Sequence, residues 1–292
     1  MRLRFIKFHG FGNDYIVIES TELEGLTESA ELGEFAWAIC NRHYGAGADG
    51  IAVVSRWEKP DANFQVRIFN PDGSEASVSG NGTRCAAAYL YYKNIWSGPE
   101  LRLTTRAGVK LYLLRDDSQP GRYVFDSELG QPKFDTASIP MLTSPPLEKV
   151  VDYELDVDGE TFKVTALQLG NPISCIFVDD FEGLDWRRVG KTLENHQQFP
   201  DRTNVVFVRV QDRETIELRI WERGVGETMA SGTCSCAAAV AAMTKGETER
   251  DINVLMPGGR ARIKWRDDDG NGQGEVVITG AAEVIYAGDW LK

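Results

Sequence analysis

The sequence is poor in the residues that build metal, disulfide and phosphate sites. Only three histidines and five cysteines occur among 292 residues. Cys234 and Cys236 form a Cys-x-Cys pair without a second pair of ligands, so four zinc ligands at usable spacing cannot be assembled. Gly80-Asn81-Gly82 and Gly224-Val225-Gly226 lack the third glycine of a dinucleotide fingerprint, and neither a Walker loop nor a nucleophile elbow occurs. We therefore expect neither a metal nor a cofactor.

Long apolar runs and an excess of positive charge are also missing. No stretch approaches the length of a membrane span, and the segment from Met1 to Phe5 reads as a strand instead of a signal sequence. The net charge of −12 disfavours nucleic acid and anionic membranes, because both carry negative phosphates. The hydrophobic content of 42% is typical of a globular protein. We expect a cytoplasmic protein without nucleic-acid or membrane partners.

The chain contains one internal repetition. Arg67-Ile68-Phe69, Glu75, Ser79-Gly80 and Ala86-Ala87 recur at a constant offset, with a single aromatic exchange, as Arg219-Ile220-Trp221, Glu227, Ser231-Gly232 and Ala238-Ala239. This pattern predicts two copies of one unit. We expect residues 1–130, completed by a C-terminal strand at 281–292, to form one domain. Residues 131–280 form the other, with the boundary in a proline-rich stretch and the active site in the cleft between the domains.

Most of the remaining pattern is typical of strands, including two long β-like runs at 101–115 and 153–169. Helical periodicity is confined to four stretches, which are 29–41, 83–95, 186–198 and 235–245. The second and fourth of these are alanine-rich and apolar around most of their circumference, so each should be enclosed by its own domain. The expected fold class is α/β (α+β), with a strongly curved antiparallel or mixed sheet wrapped around a central apolar helix in each half.

A Ser-Gly pair immediately precedes each of these two apolar helices, at Ser79-Gly80 and Ser231-Gly232. Unpaired backbone N–H groups and the helix dipole at such a place favour a carboxylate. The alternative is that both serines are ordinary N-terminal caps. Both interpretations stay open at the level of the sequence.

Several asparagines follow strand-like segments. Gly12-Asn13 and Gly170-Asn171 occupy similar places in the two halves, and Asn204 lies in a third loop. A single such asparagine is usually a turn residue. Together with Glu222 and Arg223, however, the set would suit a zwitterionic amino acid, since amides and arginine bind a carboxylate and glutamate binds an ammonium group.

These residues, in this order, resemble the diaminopimelate epimerase family of cofactor-independent isomerases. The resemblance runs almost end to end and is carried by the segments Gly12-Asn13-Asp14-Tyr15, Asp72-Gly73-Ser74-Glu75, Gly80-Asn81-Gly82, Gly170-Asn171-Pro172, Glu222-Arg223-Gly224, Gly226-Glu227-Thr228 and Gly232-Thr233. It implies two similar domains, a homodimer, and inversion of one α-carbon of diaminopimelate on the route to lysine and peptidoglycan.

The resemblance also implies roles for individual residues. The positions that match the family's substrate-binding residues are Asn13, Asn70, Gly80, Asn81, Asn171, Asn204, Glu222, Arg223, Gly232 and Thr233. Ser79 and Ser231 stand where the family carries its two proton-transferring cysteines, and Glu222 remains as the acid/base partner. Ile173 stands where the family usually carries a histidine.

Serine is a poor replacement for a thiol in proton transfer. A thiol has a pKa of about 8.5 and is partly ionised near neutral pH, whereas a hydroxyl needs an adjacent base. We therefore expect slow epimerisation and keep three hypotheses. The chain is a diaminopimelate epimerase-class isomerase that uses serines, a divergent member acting on another amino acid as a racemase or dehydratase, or a non-catalytic amino-acid-binding protein.

Overall fold

The computed structural model describes residues 2–23, 25–26, 28–267, 270 and 272–291. The ends of the predicted domain ranges, at 1 and 292, lie outside these residues. The chain forms two compact units, Met1–Ser127 with Thr279–Lys292, and Glu128–Ile278. In the part of the chain that the structure describes, no helix has the length and apolar character that a membrane crossing requires.

The first unit has two strand–helix–strand crossovers. Its elements are β1 (Leu3–Gly10), β2 (Asn13–Glu19), a short 3-10 helix (Ser20–Glu22), α1 (Ser29–Cys40), β3 (Gly50–Arg56), β4 (Phe64–Phe69), β5 (Glu75–Ala76), α2 (Gly80–Tyr92), β6 (Glu100–Thr105), β7 (Gly108–Asp116) and β8 (Arg122–Gly130). α1 connects the parallel strands β2 and β3, and α2 connects the parallel strands β4 and β6. The other strand pairs that we describe in this unit are antiparallel.

The second unit is built in the same way. Its elements are β9 (Val150–Val157), β10 (Glu160–Leu169), β11 (Asn171–Phe177), α3 (Trp186–Glu194), β12 (Asn204–Asp212), β13 (Thr215–Glu222), β14 (Gly226–Thr228), α4 (Gly232–Thr244), β15 (Asp251–Met256), β16 (Gly259–Arg266) and the first part of β17 (Glu275–Trp290). α3 connects the parallel strands β11 and β12, and α4 connects β13 and β15.

Each unit encloses one helix. Every residue of α2 from Asn81 to Tyr91 is buried, and so is every residue of α4 from Cys234 to Met243. α2 contacts β1, β2, β3, β4 and β6, while α4 contacts β10, β11, β12, β13, β15 and β16. An alanine-rich helix without a polar face can only be stable when surrounded in this way. The predicted fold class is confirmed.

The register of the strands shows which residues of the two units are equivalent. Tyr15 of β2 lies opposite Gly50 of β3, and Ile173 of β11 lies opposite Asn204 of β12. The next residues, Ile51 and Val205, lie opposite Phe69 and Trp221, which are already matched by the sequence repeat. Tyr15 and Ile173 therefore occupy the same place in the two copies, as do Gly50 and Asn204.

The structure differs from the expected elements in three respects. The runs 101–115 and 153–169 are not single strands but hairpins, β6–β7 and β9–β10. Gly108 begins β7 directly after the first turn and Gly159 lies in the second turn, both with positive φ. The two enclosed helices begin three residues before the predicted starts at 83 and 235, since the Ser-Gly pair itself opens each helix. The proline-rich stretch in which we expected the domain boundary contributes Ile139 and Met141 to the core of the second unit.

The last strand contributes to both units along its length. From Glu283 to Trp290, β17 pairs antiparallel with β1, between the partners His9↔Glu283 and Leu3↔Trp290. The first unit therefore consists of an early segment and a late segment of the chain.

Candidate active site

The first half-site lies where β2 and α2 both begin. We use this name for Asn13, Tyr15, Ser79, Gly80 and Asn81. Ser79 is the N-cap residue of α2, with extended backbone angles of φ −131° and ψ 123°. Its Oγ accepts hydrogen bonds from the backbone N–H of Gly82 at 3.1 Å and from the hydroxyl of Tyr15 at 2.9 Å. The interpretation of Ser79 as a helix cap is thus correct, although the cap also has a side-chain donor.

The amides of the first half-site are held by a hydrogen-bonded network. Asn81 Nδ2 donates to Asn13 Oδ1 at 3.1 Å, and Asn13 Nδ2 donates to Asp49 Oδ2 at 2.8 Å. On the other side, the fully buried Arg84 donates to Asn81 Oδ1 at 3.1 Å. The orientation of both amide groups is therefore fixed before any ligand binds.

A buried ion pair next to Asn13 stabilises this network. Asp14, the neighbour of Asn13, is paired with Lys7 at 2.6 Å and with Arg42 at 2.9 Å. Burial would raise the pKa of the Asp14 carboxyl, but the hydrogen bonds from Arg42 and Lys7 outweigh it and lower the pKa to about 2. Lys7 Nζ also donates to the carbonyl oxygen of Gly47. Asp14 therefore stays ionised over the whole working pH range.

Asn70 is the remaining predicted binding residue of the first unit. It follows β4, and its Nδ2 donates to Ser74 Oγ at 2.9 Å within the turn that leads to β5. This hydrogen bond holds the Asn70 side chain within its own turn, in contrast to the linked pair Asn13 and Asn81.

The second half-site lies where β13 ends and α4 begins. We use this name for Asn171, Asn204, Glu222, Arg223, Ser231, Gly232 and Thr233. Ser231 is the N-cap residue of α4, but its side chain makes no capping hydrogen bond. Instead, Ser231 Oγ donates to Glu222 Oε2 at 3.0 Å, and Thr228 Oγ1 donates to Glu222 Oε1 at 2.8 Å. Ser231 is therefore the N-cap residue of α4 by position, but its hydroxyl donates a hydrogen bond to a carboxylate and accepts none from the backbone N–H groups of the helix.

Glu222 has the electrostatics of a base. Burial raises the pKa of its carboxyl above the ordinary value, while the hydrogen bonds from Thr228 and Ser231 lower it only in part. In the described part of the chain, this carboxylate accepts hydrogen bonds from Thr228 and Ser231, and no cationic side chain contributes to its pKa. A carboxylate that is buried and bound only by hydroxyls is a stronger proton acceptor than one in water.

Arg223 connects the other polar residues of the second half-site. Its backbone N–H donates to Asn204 Oδ1 at 2.8 Å, and its guanidinium donates to Asn171 Oδ1 at 3.3 Å. A further bond to the carbonyl oxygen of Asp201, at 2.9 Å, fixes the guanidinium. With Thr233 Oγ1 3.4 Å from Ser231 Oγ, the structure brings all predicted residues of the second unit into one cluster.

The cysteines of the two enclosed helices follow the half-site residues along each helix, and Cys234 interacts with Ser231 and Thr233. Cys85, Cys234 and Cys236 have no exposed surface. Burial raises the pKa of the Cys85 thiol to about 12, and it raises the pKa of Cys234 as well, assisted by the negative charge of Glu222. The thiols of Cys85 and Cys234 therefore stay protonated near neutral pH.

Comparison with known proteins identifies the family. The family model for diaminopimelate epimerase matches residues 5–134 and 165–285. The chain belongs to the diaminopimelate epimerase family. It is 39% identical to the diaminopimelate epimerase of Moorella thermoacetica and 38% identical to that of Pseudomonas syringae pv. tomato, each over 99% of both chains. The resemblance inferred from the sequence motifs is confirmed, and with it the class of amino-acid epimerase and racemase isomerases.

Solved structures of lower identity share the fold. The chain superposes on a PhzF-family phenazine biosynthesis protein of Bacillus anthracis with a TM-score of 0.73, at 16% identity over 100% of both chains. A hydroxyproline epimerase of Agrobacterium vitis, solved with bound trans-4-hydroxy-L-proline, gives a TM-score of 0.67 at 13% identity over 99% of this chain and 91% of that one. At these identities the likeness concerns the fold alone.

Two residues of this family member were missed by the sequence reasoning. Tyr15 and Thr228 lie inside the motifs that carry the resemblance, but neither was assigned a role. The hydroxyl of Tyr15 donates a hydrogen bond to Ser79, and the hydroxyl of Thr228 donates one to Glu222. The sequence signal that could have identified Tyr15 was its hydroxyl within an otherwise apolar strand. The equivalent residue in the second unit is Ile173.

Proposed function

We propose that the protein interconverts LL- and meso-diaminopimelate by cofactor-independent proton transfer at one α-carbon. In this proposal one of the two serines, Ser79 or Ser231, removes the α-proton and the other returns a proton to the opposite face of the carbon. The supporting observation is the hydrogen bond from Ser231 to Glu222, because it joins a hydroxyl to a buried carboxylate with a raised pKa. Such a carboxylate supplies the adjacent base that a serine requires.

The proton would pass from the α-carbon to Ser231 Oγ while the Ser231 proton passes to Glu222. The electron pair stays on the α-carbon, where the substrate carboxylate delocalises it. Ser79 then donates its proton to the opposite face. Afterwards Glu222 releases its added proton to solvent, and Ser79 Oγ regains a proton from solvent. Every proton lost by one group is gained by another, so this sequence of steps needs no cofactor.

The polar residues of both half-sites supply the groups that an amino-acid substrate needs. Helix N-termini at Gly80-Asn81 and Gly232-Thr233 present backbone N–H groups to a carboxylate. The amides of Asn13, Asn81, Asn171 and Asn204, together with Asn70 and Arg223, complete the proposed binding set. We further propose a cytoplasmic homodimer, on the basis of the family resemblance and five buried thiols; light scattering measures its mass.

The deciding experiment incubates the protein with LL-diaminopimelate in deuterated water and follows the α-proton signal by NMR. Loss of this signal with appearance of the meso isomer supports the proposal. Calorimetry on the same samples measures binding. Tight binding without any exchange at high enzyme concentration rejects epimerase activity and leaves an amino-acid-binding protein.

The divergent-enzyme hypothesis predicts a different result. In that case diaminopimelate binds weakly, and another amino acid shows α-proton exchange under the same conditions. A panel that includes proline, hydroxyproline and glutamate separates the two possibilities. Exchange that is faster with any of these than with diaminopimelate contradicts the proposed substrate.

A further inference from the structure

Tyr15 is buried in a space that two glycines leave open. A Cβ atom at Gly50 would lie 2.7 Å from Tyr15 Cε1, and one at Gly82 would lie 2.8 Å from the same atom. These distances are too short for any other residue, so the ring is fixed between β3 and the first turn of α2. With 5% of its surface exposed, Tyr15 keeps its hydroxyl oxygen 2.9 Å from Ser79 Oγ.

The two hydrogen bonds at Ser79 Oγ determine what this hydroxyl can still do. A serine oxygen has two lone pairs and one proton. Here Tyr15 and the Gly82 N–H both donate to the oxygen. Only the Ser79 proton remains for a ligand, so the first half-site presents a proton donor.

The second half-site presents the opposite polarity. Ser231 Oγ donates its proton to Glu222, which leaves its lone pairs as the groups available to a ligand. At the position equivalent to Tyr15, the second unit has Ile173, which is fully buried and has no hydroxyl. The difference between the two serines therefore follows from side chains at equivalent places in the repeat.

We propose that Tyr15 is a positioning residue that holds Ser79 as the proton-donating arm of the site, opposite Ser231 and Glu222 as the accepting arm. The inference rests on the proposed function and adds a direction to it. When Ser79 gives its proton to the carbanion, the new C–H bond forms and the electron pair of the broken O–H bond stays on Ser79 Oγ. The hydrogen bonds from Tyr15 and Gly82 stabilise that anionic oxygen until solvent returns a proton.

Tyr15→Phe tests this role while keeping the ring in its space. For the epimer whose α-proton faces Ser231, the variant should still remove the proton but should return a proton from the Ser79 side more slowly. In deuterated water, the ratio of α-proton exchange to inversion should rise roughly tenfold, the size expected for one hydrogen bond to a charged oxygen. Damage to the fold would lower exchange and inversion together.

Tyr89→Phe is the matched control. Tyr89 lies on α2, the helix that follows Ser79, and only 5% of its surface is exposed. Its hydroxyl donates to Glu19 at 2.7 Å instead of to a half-site residue. Its exchange-to-inversion ratio should equal that of the unmodified protein. A rise of equal size in both variants would mean that the ratio reports general loosening of α2.

A second measurement does not depend on turnover. In a Ser79→Cys background, the introduced thiol is distinguished from the five buried native thiols by its reaction with iodoacetamide. Its pKa, read from the pH dependence of alkylation, should rise by about one unit when Tyr15→Phe removes the hydrogen bond to the thiolate. Tyr89→Phe should leave it unchanged.

The two measurements separate the inference from the proposed function. A protein that exchanges no α-proton, but whose introduced thiol shifts with Tyr15→Phe, loses the proposed function and keeps Tyr15 as the residue that tunes position 79. An unchanged thiol pKa overturns the inference even in an active enzyme. Exchange and inversion that fall by the same factor in Tyr15→Phe also overturn it.

Discussion

The two half-sites use the same backbone and different side chains. Each begins with a Ser-Gly pair at the start of an enclosed helix, but Ser79 accepts a hydrogen bond from Tyr15, whereas Ser231 donates one to Glu222. At the equivalent places, the first unit has Asn70 instead of Glu222 and the second has Ile173 instead of Tyr15. Duplication of a unit thus preserves the geometry of a helix terminus, while two substitutions are enough to reverse the direction of its hydrogen bond.

Even residues that are identical in the two copies have different partners. Arg67 and Glu75 form an ion pair at 3.0 Å in the first unit. Their counterparts separate in the second, where Arg219 pairs with Glu217 and Glu227 pairs with Arg187. Sequence identity at a repeated position therefore shows a shared fold without showing a shared contact.

The largest expected effect comes from removing the accepting carboxylate. Glu222→Gln keeps the shape of the side chain but removes the base, so α-proton exchange should fall by roughly 10²–10⁴-fold. Glu227→Gln, five residues along the chain and on the exposed surface, is the control and should leave the rate nearly unchanged. A rate in Glu222→Gln within twofold of the control would show that the second half-site has no acid/base role.

Restoring the family's side chains should make the half-sites more alike. Ser79→Cys with Ser231→Cys should raise the rate little, whereas addition of Ile173→His should raise it by about a hundredfold, the lower end of general acid–base contributions. Ile173 lies two residues from Asn171 on the same strand, so alternation puts both side chains on one face of the sheet. The rates of the double and triple variants test the role of position 173. Full recovery with the two cysteines alone contradicts such a role.

The first half-site should depend more on a buried ion pair than on any surface pair. Lys7→Met leaves Asp14 without one of its two cationic partners, and we expect a loss of about 3 kcal/mol in the free energy of unfolding. Arg2→Met, which removes an exposed pair with Asp289, should leave the free energy of unfolding nearly unchanged. Urea titration measures both, and equal losses would refute the assigned importance of the Lys7–Asp14 pair.

The smallest effect concerns the pH dependence of the second half-site. The proposed mechanism requires ionised Glu222, so activity should be lost as pH falls through the raised pKa of this carboxyl. Thr228→Val removes a hydrogen bond that lowers this pKa, and the acid limb of kcat/KM should therefore move to higher pH by up to about one unit. Thr244→Val, whose hydroxyl bonds only to a backbone carbonyl of α4 in the described contacts, should not move it. A shift to lower pH would mean that another group controls the limb.

The sequence was sufficient for the fold class, the family and the locations of Ser79 and Ser231, because these depend on local patterns. Alanine-rich periodicity marks an enclosed helix, and a Ser-Gly pair marks its start. Strand boundaries at Gly108 and Gly159 were less clear, since the β-like pattern continues through both turns.

Contacts between distant segments could not be predicted in the same way. Tyr15 and Ser79 are far apart in sequence, and their hydrogen bond exists because β2 pairs with β3 in one register and two glycines admit the ring. The burial of Arg84 beneath Asn81, with its guanidinium 5.0 Å from the centre of the Phe11 ring, also depends on tertiary packing. These are the contacts that distinguish a proton donor from an acceptor, and a linear motif does not contain them.

The pairing of β1 with β17 has a consequence for synthesis on the ribosome. The strand Leu3–Gly10 emerges before the unit Glu128–Ile278, but its neighbour between Glu283 and Trp290 emerges after that unit. The unit Glu128–Ile278 is continuous, so it can reach its final structure before the last part of β17 has been made. Until then, β1 lacks the strand with which it pairs in the first unit. We therefore expect the half of the protein that is translated first to be the half that finishes folding last.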